Sequence, residues 1–128
     1  QLDEALRIRL EEQLPVFERL GDVREKSVTH FKIATLRLAR NEQATQEGLQ
    51  AIFEDLRQAY EIAVQMRIPD GIAAVGPLFA QILAVGQAFE RALGVLAEVD
   101  AACAVLGDEE GRQEAAALRE QIEAMRGG

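Results

Sequence analysis

The two side chains best suited to catalysis or metal binding, His30 and Cys103, are each the only residue of their type in this 128-residue chain. They are far apart in sequence, and neither belongs to a Cys/His cluster with zinc-site spacing. The sequence also lacks the Gly-rich motifs that hold nucleotide phosphates and dinucleotides. We therefore expect no enzymatic activity, no metal and no cofactor. We interpret His30 as a packing or interface residue and Cys103 as a buried thiol.

Paired carboxylates are the other pattern that could do chemistry. The acidic pairs are Glu11-Glu12, Glu54-Asp55 and Glu109-Glu110. Adjacent residues of a helix point in different directions, so the two members of a pair do not converge on one substrate atom. We interpret all three pairs as solvated helix faces.

Composition excludes several classes of function. The net charge is −8, with 22 acidic and 14 basic side chains, and such a chain is a poor generic binder of nucleic acid. No apolar run of 18 residues predicts a membrane span, and no signal peptide is recognisable. A single cysteine cannot form an internal disulfide and fits a reducing compartment. We expect a cytoplasmic protein that does not act at a membrane.

Helix-forming residues dominate the sequence, and strand signals are weak. Apolar residues three or four apart predict about six helices and an all-α fold. The predicted helices are 2–20, 23–40, 43–66, 70–86, 88–106 and 109–126. The joins between them are short, so we expect neighbouring helices to be antiparallel.

Helix-ending residues recur at these joins. The recurring phrases are Leu20-Gly21-Asp22, Met66-Arg67-Ile68-Pro69-Asp70-Gly71 and Leu106-Gly107-Asp108. Asp22 is a suitable N-cap, and Asn41 tolerates the left-handed conformation that ends a helix. Pro69 is expected to stop one helix and start the next. Steps of roughly 40 residues between such phrases are typical of helical repeats.

Two prolines fall inside apolar-periodic stretches. Pro15 and Pro77 each remove one helical hydrogen bond, so each should kink its helix. The alternative at the second position is that Gly76-Pro77 breaks the helix and the fourth helix starts later.

Several runs carry a family resemblance. They are Gln1 to Arg9, Glu11 to Arg24 with its core Leu14-Pro15-Val16-Phe17-Glu18-Arg19-Leu20-Gly21-Asp22, Lys32-Ile33-Ala34, Phe79-Ala80, Phe89-Glu90-Arg91-Ala92-Leu93 and Leu106-Gly107-Asp108-Glu109-Glu110-Gly111. Together they resemble the long, roughly 40-residue class of bacterial tetratricopeptide repeats. The likeness is poor at 43–58 and after 112.

The resemblance implies antiparallel helix-turn-helix repeats stacked as a short right-handed superhelix. It divides one domain, 1–128, into the second helix of a truncated repeat (1–21), two repeats (22–67 and 68–107) and a C-terminal capping helix (108–128). In this family such arrays are commonly C-terminal arms of larger bacterial proteins, including signal-transduction NTPases. We therefore expect a fragment of a longer protein that senses or binds a partner.

The family's concave groove is lined by the first helix of each pair. Carried over to this chain, the groove candidates are Val28, Phe31, Lys32, Thr35, Leu38, Ala74, Pro77, Leu78 and Gln81. The positions of the family's carboxylate clamp hold Phe31, Thr35, Pro77 and Gln81, so we do not expect that clamp. Five basic residues on the second predicted helix would attract an acidic peptide. The alternative is that these are ordinary surface cations and that the apolar candidates belong to the core.

The first predicted helix would lack a partner for one of its flanks. We expect self-association through residues 1–20, with Leu2, Leu6 and Leu10 as candidates. Three functions stay open. The first is recognition of a protein or peptide, the second is a structural spacer or oligomerisation arm, and the third is a small-molecule site between helices.

Overall fold

A computed structural model describes residues 2–16 and 22–127, which fold into six helices with no strand among them. Helix α1 comprises the α-helical Leu2–Arg7, the π-helical Ile8–Gln13 and α-helical residues 14–16. The other helices are α2 (Val23–Ala39), α3 (Gln46–Gln65), α4 (Pro69–Val85), α5 (Phe89–Leu106) and α6 (Glu109–Gly127). The expected all-α class is confirmed.

The chain divides into two compact units, Gln1–Met66 and Arg67–Gly128. In the first unit α2 packs against α3 and also contacts α1. In the second unit α5 packs against both α4 and α6, which also contact each other. No described helix combines the length and the apolar character that a membrane crossing requires.

A proline accounts for the change of helix type in α1. Pro15 has no N–H, and its ring crowds the carbonyl of Glu11, four residues earlier. The backbone around that carbonyl adopts the wider π turn, in which the N–H of Leu14 reaches back five residues to the carbonyl of Arg9. The predicted helix 2–20 extends past the described part of the chain, because residues 17–21 lie outside it.

The connection between α2 and α3 is longer than the sequence pattern predicts. Asn41 adopts the left-handed conformation with φ of 61°, which confirms it as the end of α2. A 3-10 turn, Glu42–Ala44, follows, and the Thr45 hydroxyl then caps α3 by accepting the Gly48 N–H at 3.0 Å. The predicted start at residue 43 is therefore wrong: with Thr45 as its N-cap, α3 begins at Gln46, three residues later.

Regular spacing organises the second unit. Helices α4, α5 and α6 begin at Pro69, Phe89 and Glu109, 20 residues apart. The three residues that turn the chain before them share positive φ. They are Arg67 at 54°, Gln87 at 64° and Gly107 at 69°. The chain thus turns through the same left-handed backbone conformation before each of the three helices, although only one of the three positions has a glycine.

Two of these helix ends have the same hydrogen bond. The N–H of Ala88 donates to the carbonyl of Leu83, and the N–H of Asp108 donates to the carbonyl of Cys103, each at 2.9 Å. This six-residue closure is the Schellman motif. Asp108 also starts α6, because its carboxylate accepts the N–H of Gly111 at 2.9 Å.

Helix α4 runs without interruption through Pro77, so the alternative of a break at Gly76-Pro77 is excluded. Pro69 occupies the first turn of α4, as predicted, where its missing N–H costs nothing.

The apolar stripes of the helices form the cores of the two units. The core of the first unit contains Leu6, Ile33, Ala34, Ile52, Leu56, Ala59, Tyr60 and Ala63. The core of the second contains Val75, Phe79, Ala80, Leu83, Ala92, Val95, Leu96, Val99, Cys103, Ala115 and Ile122.

Candidate functional site

The groove candidates of α2 form an exposed ridge flanked by half-buried apolar groups. Val28, Lys32 and Thr35 are exposed and follow the spacing of one helix face. Phe31 and Leu38 are half-buried beside them. Thr35 uses its hydroxyl locally, because it donates to the carbonyl of Lys32 at 2.8 Å.

The positive charge of α2 is smaller than its sequence indicates. Arg37 lies 3.1 Å from Glu42, and Arg40 lies 2.8 Å from the same carboxylate. Arg40 also pairs with Asp3 of α1 at 2.8 Å. In contrast, no described residue pairs with Lys32. The cation available to an acidic ligand on this ridge is therefore Lys32.

The groove candidates of α4 form a ridge of a different kind. Ala74 and Gln81 are exposed, and Pro77 and Leu78 are half-buried between them. The only charged residue of α4 is Asp70 in its first turn. The exposed face of this helix is therefore apolar except for the amide of Gln81.

A buried polar cluster joins α2 to α3 in the first unit. His30 is 5% exposed, and its Nδ1 lies 2.9 Å from Oδ1 of Asp55. Arg37 Nε lies 3.3 Å from Oδ2 of the same carboxylate. A further buried bond runs from the Ser27 hydroxyl to the carbonyl of Ala59 at 2.8 Å. His30 is confirmed as a packing residue.

The interpretation of Glu54-Asp55 as a solvated pair is wrong for Asp55. Position 55 shares the buried face of α3 with Ile52, Leu56 and Ala59, so its carboxylate points at α2. Glu54 stays on the outer face and binds Arg57. The signal that could have identified Asp55 was its three-residue spacing from Ile52, on the apolar stripe.

Two nitrogens of this cluster lack hydrogen bonds to any described residue. They are His30 Nε2 and Arg37 Nε, the latter because its approach to Asp55 has poor hydrogen-bond geometry. A carboxylate can only accept, so Nδ1 of His30 donates the hydrogen bond to Oδ1 of Asp55. The cluster does not contain the ligands of a metal site, since no group of three His, Cys, Asp or Glu side chains converges within 2–16 and 22–127.

The self-association candidates differ in accessibility. Leu2 is 42% exposed, whereas Leu6 is 5% exposed and packs into the core of the first unit. Leu10 is intermediate. Leu6 is therefore available to a partner only if α1 moves away from α2, while Leu2 is available as it stands.

The second unit contains a cleft that the sequence did not indicate. It lies between α5 and α6, has a volume of about 250 Å³ and is lined by Leu96, Asp100, Ala115, Ala116 and Arg119. Nearby, Asp100 accepts a hydrogen bond from Arg112 Nε at 3.0 Å, and this bond raises the pKa of the guanidinium. No single motif marks these residues, because they come from two helices.

The environment of Cys103 disfavours a reactive thiol. It is buried on α5, as predicted, and burial raises its pKa, with the nearby carboxylates of Asp108 and Asp100 adding to the effect. The thiolate, which is the nucleophilic form, is thereby disfavoured.

Comparison of the chain with protein-family profiles, curated proteins and solved structures gave no significant match.

Proposed function

We propose that this chain recognises a protein or peptide through the exposed ridge of α2, as the sensing or partner-binding arm of a larger bacterial cytoplasmic protein, with the ridge of α4 as a separate candidate surface. The tetratricopeptide-like phrases at the helix ends support this assignment, since helical repeats build extended binding surfaces. The helical architecture is consistent with it. A function in signalling follows from the same resemblance.

The observation that carries the proposal is the ridge formed by Val28, Lys32 and Thr35. Lys32, which pairs with no described residue, lies one turn after the exposed Val28 and directly after the half-buried Phe31. Apolar contact supplies affinity, and a single cation selects ligands with a carboxylate next to an apolar side chain. The ligand class that fits best is a peptide with alternating acidic and apolar residues.

The test is selection from a random peptide library displayed on phage, with the chain immobilised at its C-terminus. We expect enriched peptides to combine Asp or Glu with aliphatic or aromatic residues. Lys32→Glu should weaken their binding about tenfold or more, because it replaces an attractive charge pair by a repulsive one. Gln81→Ala tests the α4 ridge of the second unit as a separate surface.

The matched control is Lys26→Glu, which makes the same charge change on the same helix. Lys26 precedes Lys32 by six residues, so the two side chains point about 120° apart around the helix axis. If Lys26→Glu and Lys32→Glu weaken binding equally, only the net charge matters and the α2 ridge is not the site. Failure of the library to enrich any peptide would contradict the proposal.

The second candidate function is a spacer or oligomerisation arm, and the exposure of Leu2 favours it. Under this alternative, α1 contacts a second copy of the chain through Leu2 and Leu10. Sedimentation velocity across a concentration series would then show a dimer that Leu2→Glu removes. A monomer at all concentrations would exclude it, and the peptide selection above is independent of that result.

A further inference from the structure

The cleft between α5 and α6 combines an apolar floor with two opposite charges at its walls. Leu96 and Ala115 are buried and form the floor. Asp100 of α5 and Arg119 of α6 line the same cleft from opposite helices. A volume of about 250 Å³ is below the 300–1,000 Å³ typical of sites for cofactors and drug-sized ligands. The cleft is therefore suited to a very small ligand.

The two wall charges do not neutralise each other. Asp100 and Arg119 form no ion pair together, and no described residue pairs with Arg119. Oδ1 of Asp100 accepts a hydrogen bond from Arg112, whereas Oδ2 has no hydrogen-bond partner among the described residues. One free acceptor and one free cation thus face a common space that is apolar underneath.

We propose that this cleft binds one aliphatic α-amino acid as its zwitterion. The ammonium group donates to Oδ2 of Asp100, and the carboxylate accepts from the guanidinium of Arg119. The aliphatic side chain covers Leu96 and Ala115. Both groups of the ligand are charged at neutral pH, so a free amino acid satisfies both walls at once.

Simpler ligands match this arrangement less well. An aliphatic carboxylate would satisfy Arg119 but offer no donor to Oδ2 of Asp100, whose other oxygen is bound to Arg112. An aliphatic amine would leave Arg119 without a partner. The pairing of opposite charges therefore selects for ligands that carry both.

The experiment is titration of the ¹⁵N-labelled protein with L-leucine, followed by ¹H–¹⁵N NMR spectra. We expect saturable shifts of the amide signals of Leu96, Ala115 and Ala116. Isovalerate and 3-methylbutylamine, each lacking one of the two charges, serve as matched ligands and should bind at least about tenfold more weakly. Equal shifts with isovalerate would overturn the role of Asp100, and no saturable shift up to the solubility limit of leucine would overturn the proposal.

Variants assign the contacts. Arg119→Gln should weaken leucine binding about tenfold, which corresponds to the loss of roughly 1.4 kcal/mol. Ala116→Leu should abolish it by filling the cleft from an exposed position that tolerates a larger side chain. The control is Arg126→Gln, which makes the same charge change on α6 at a residue that pairs with Glu90 at 3.5 Å. Unchanged binding in Arg119→Gln, or an equal loss in Arg126→Gln, would contradict the assignment.

Discussion

His30 Nδ1 lies 2.9 Å from Asp55 Oδ1, and this buried contact joins α2 to α3 across 25 positions of sequence. Apolar contacts between two helices tolerate small shifts, whereas a hydrogen bond between two side chains has a narrow range of geometry. The pair therefore favours one register of α2 against α3. Arg37, which approaches the second oxygen of Asp55 at 3.3 Å, adds an opposite charge to the same carboxylate.

The first prediction concerns Asp55. Asp55→Ala removes the acceptor of the buried His30, whose two ring nitrogens would then both lack a described partner. Arg37 loses one of its two carboxylates but keeps Glu42. We expect a loss of about 1–3 kcal/mol in the free energy of unfolding. Urea titration followed through the amide signals of α2 and α3 measures it.

The control for this prediction is the neighbouring carboxylate, Glu54→Ala. Glu54 binds Arg57 on the outer face of α3, and its hydrogen bond to Arg57 lowers its pKa. Exposed pairs of this kind contribute less than about 1 kcal/mol. Equal losses in Asp55→Ala and Glu54→Ala would show that the buried cluster adds nothing beyond a surface ion pair.

The second prediction compares two helical glycines. A Cβ at Gly48 would lie 1.9 Å from the carbonyl oxygen of Glu42, so the alanine variant must displace the 3-10 turn. We expect Gly48→Ala to cost about 1–3 kcal/mol. Gly94 has open space around it, and Gly94→Ala should instead gain about 0.5–1 kcal/mol from the reduced freedom of the unfolded chain. Thermal unfolding of the two variants should therefore shift in opposite directions, and a shared direction would contradict the packing at Gly48.

The third prediction uses the left-handed turn residues. Gln87 holds φ of 64° at the end of α4. A left-handed conformation costs a residue with a Cβ about 1–2 kcal/mol, and glycine avoids this cost. Gln87→Gly should therefore stabilise the protein by about 0.5–1 kcal/mol after the entropic penalty of glycine.

The reverse change supplies the control for the third prediction. Gly107→Ala places a Cβ on a residue with φ of 69°, although nothing lies within 4 Å of that Cβ. We expect it to destabilise the protein by about 1 kcal/mol through backbone strain alone. Thermal melts of both variants measure the two changes, and a neutral Gly107→Ala would remove the basis for expecting a gain at Gln87.

The fourth prediction concerns the pH dependence of Cys103. Burial raises the pKa of its thiol in the folded state, so the folded state retains the proton more strongly than the unfolded state does. This contribution to stability is complete below the ordinary thiol pKa of about 8.5 and decreases as the pH rises above it. The Cys103→Ser variant, which has no thiol to titrate, should lack that part of the decrease at alkaline pH.

Alkylation provides a second measurement on the same thiol. Iodoacetamide at pH 8 should modify Cys103 more slowly than it modifies a cysteine in an unstructured peptide, because only the thiolate reacts and the side chain is buried. Added urea should accelerate the reaction by opening the α5–α6 packing. A rate equal to that of the peptide without urea would contradict the burial of Cys103.

The local sequence was sufficient for most helix ends. The carboxylate of Asp22 caps α2 by accepting the N–H of Glu25 at 3.1 Å, as its residue type predicts. Asn41 and Gly107 take the left-handed conformation that their residue types tolerate. These features depend on the conformational preferences of a few neighbouring residues, which is why single positions indicate them. Arg67 and Gln87 adopt the same conformation without any such preference, so only the packed helices impose it there.

Residue types and their helical spacing determined that this protein is all-α and where most of its helices begin and end. Tertiary structure alone decided the partners of the charged side chains. Asp55 is buried against His30. The charges of Arg37 and Arg40 are neutralised by carboxylates of other elements. Asp100 and Arg119 line one cleft without pairing with each other. The physical reason is the range of the interactions. Helix preferences act over a few neighbouring residues, whereas charge pairing depends on distances between helices that no local pattern specifies.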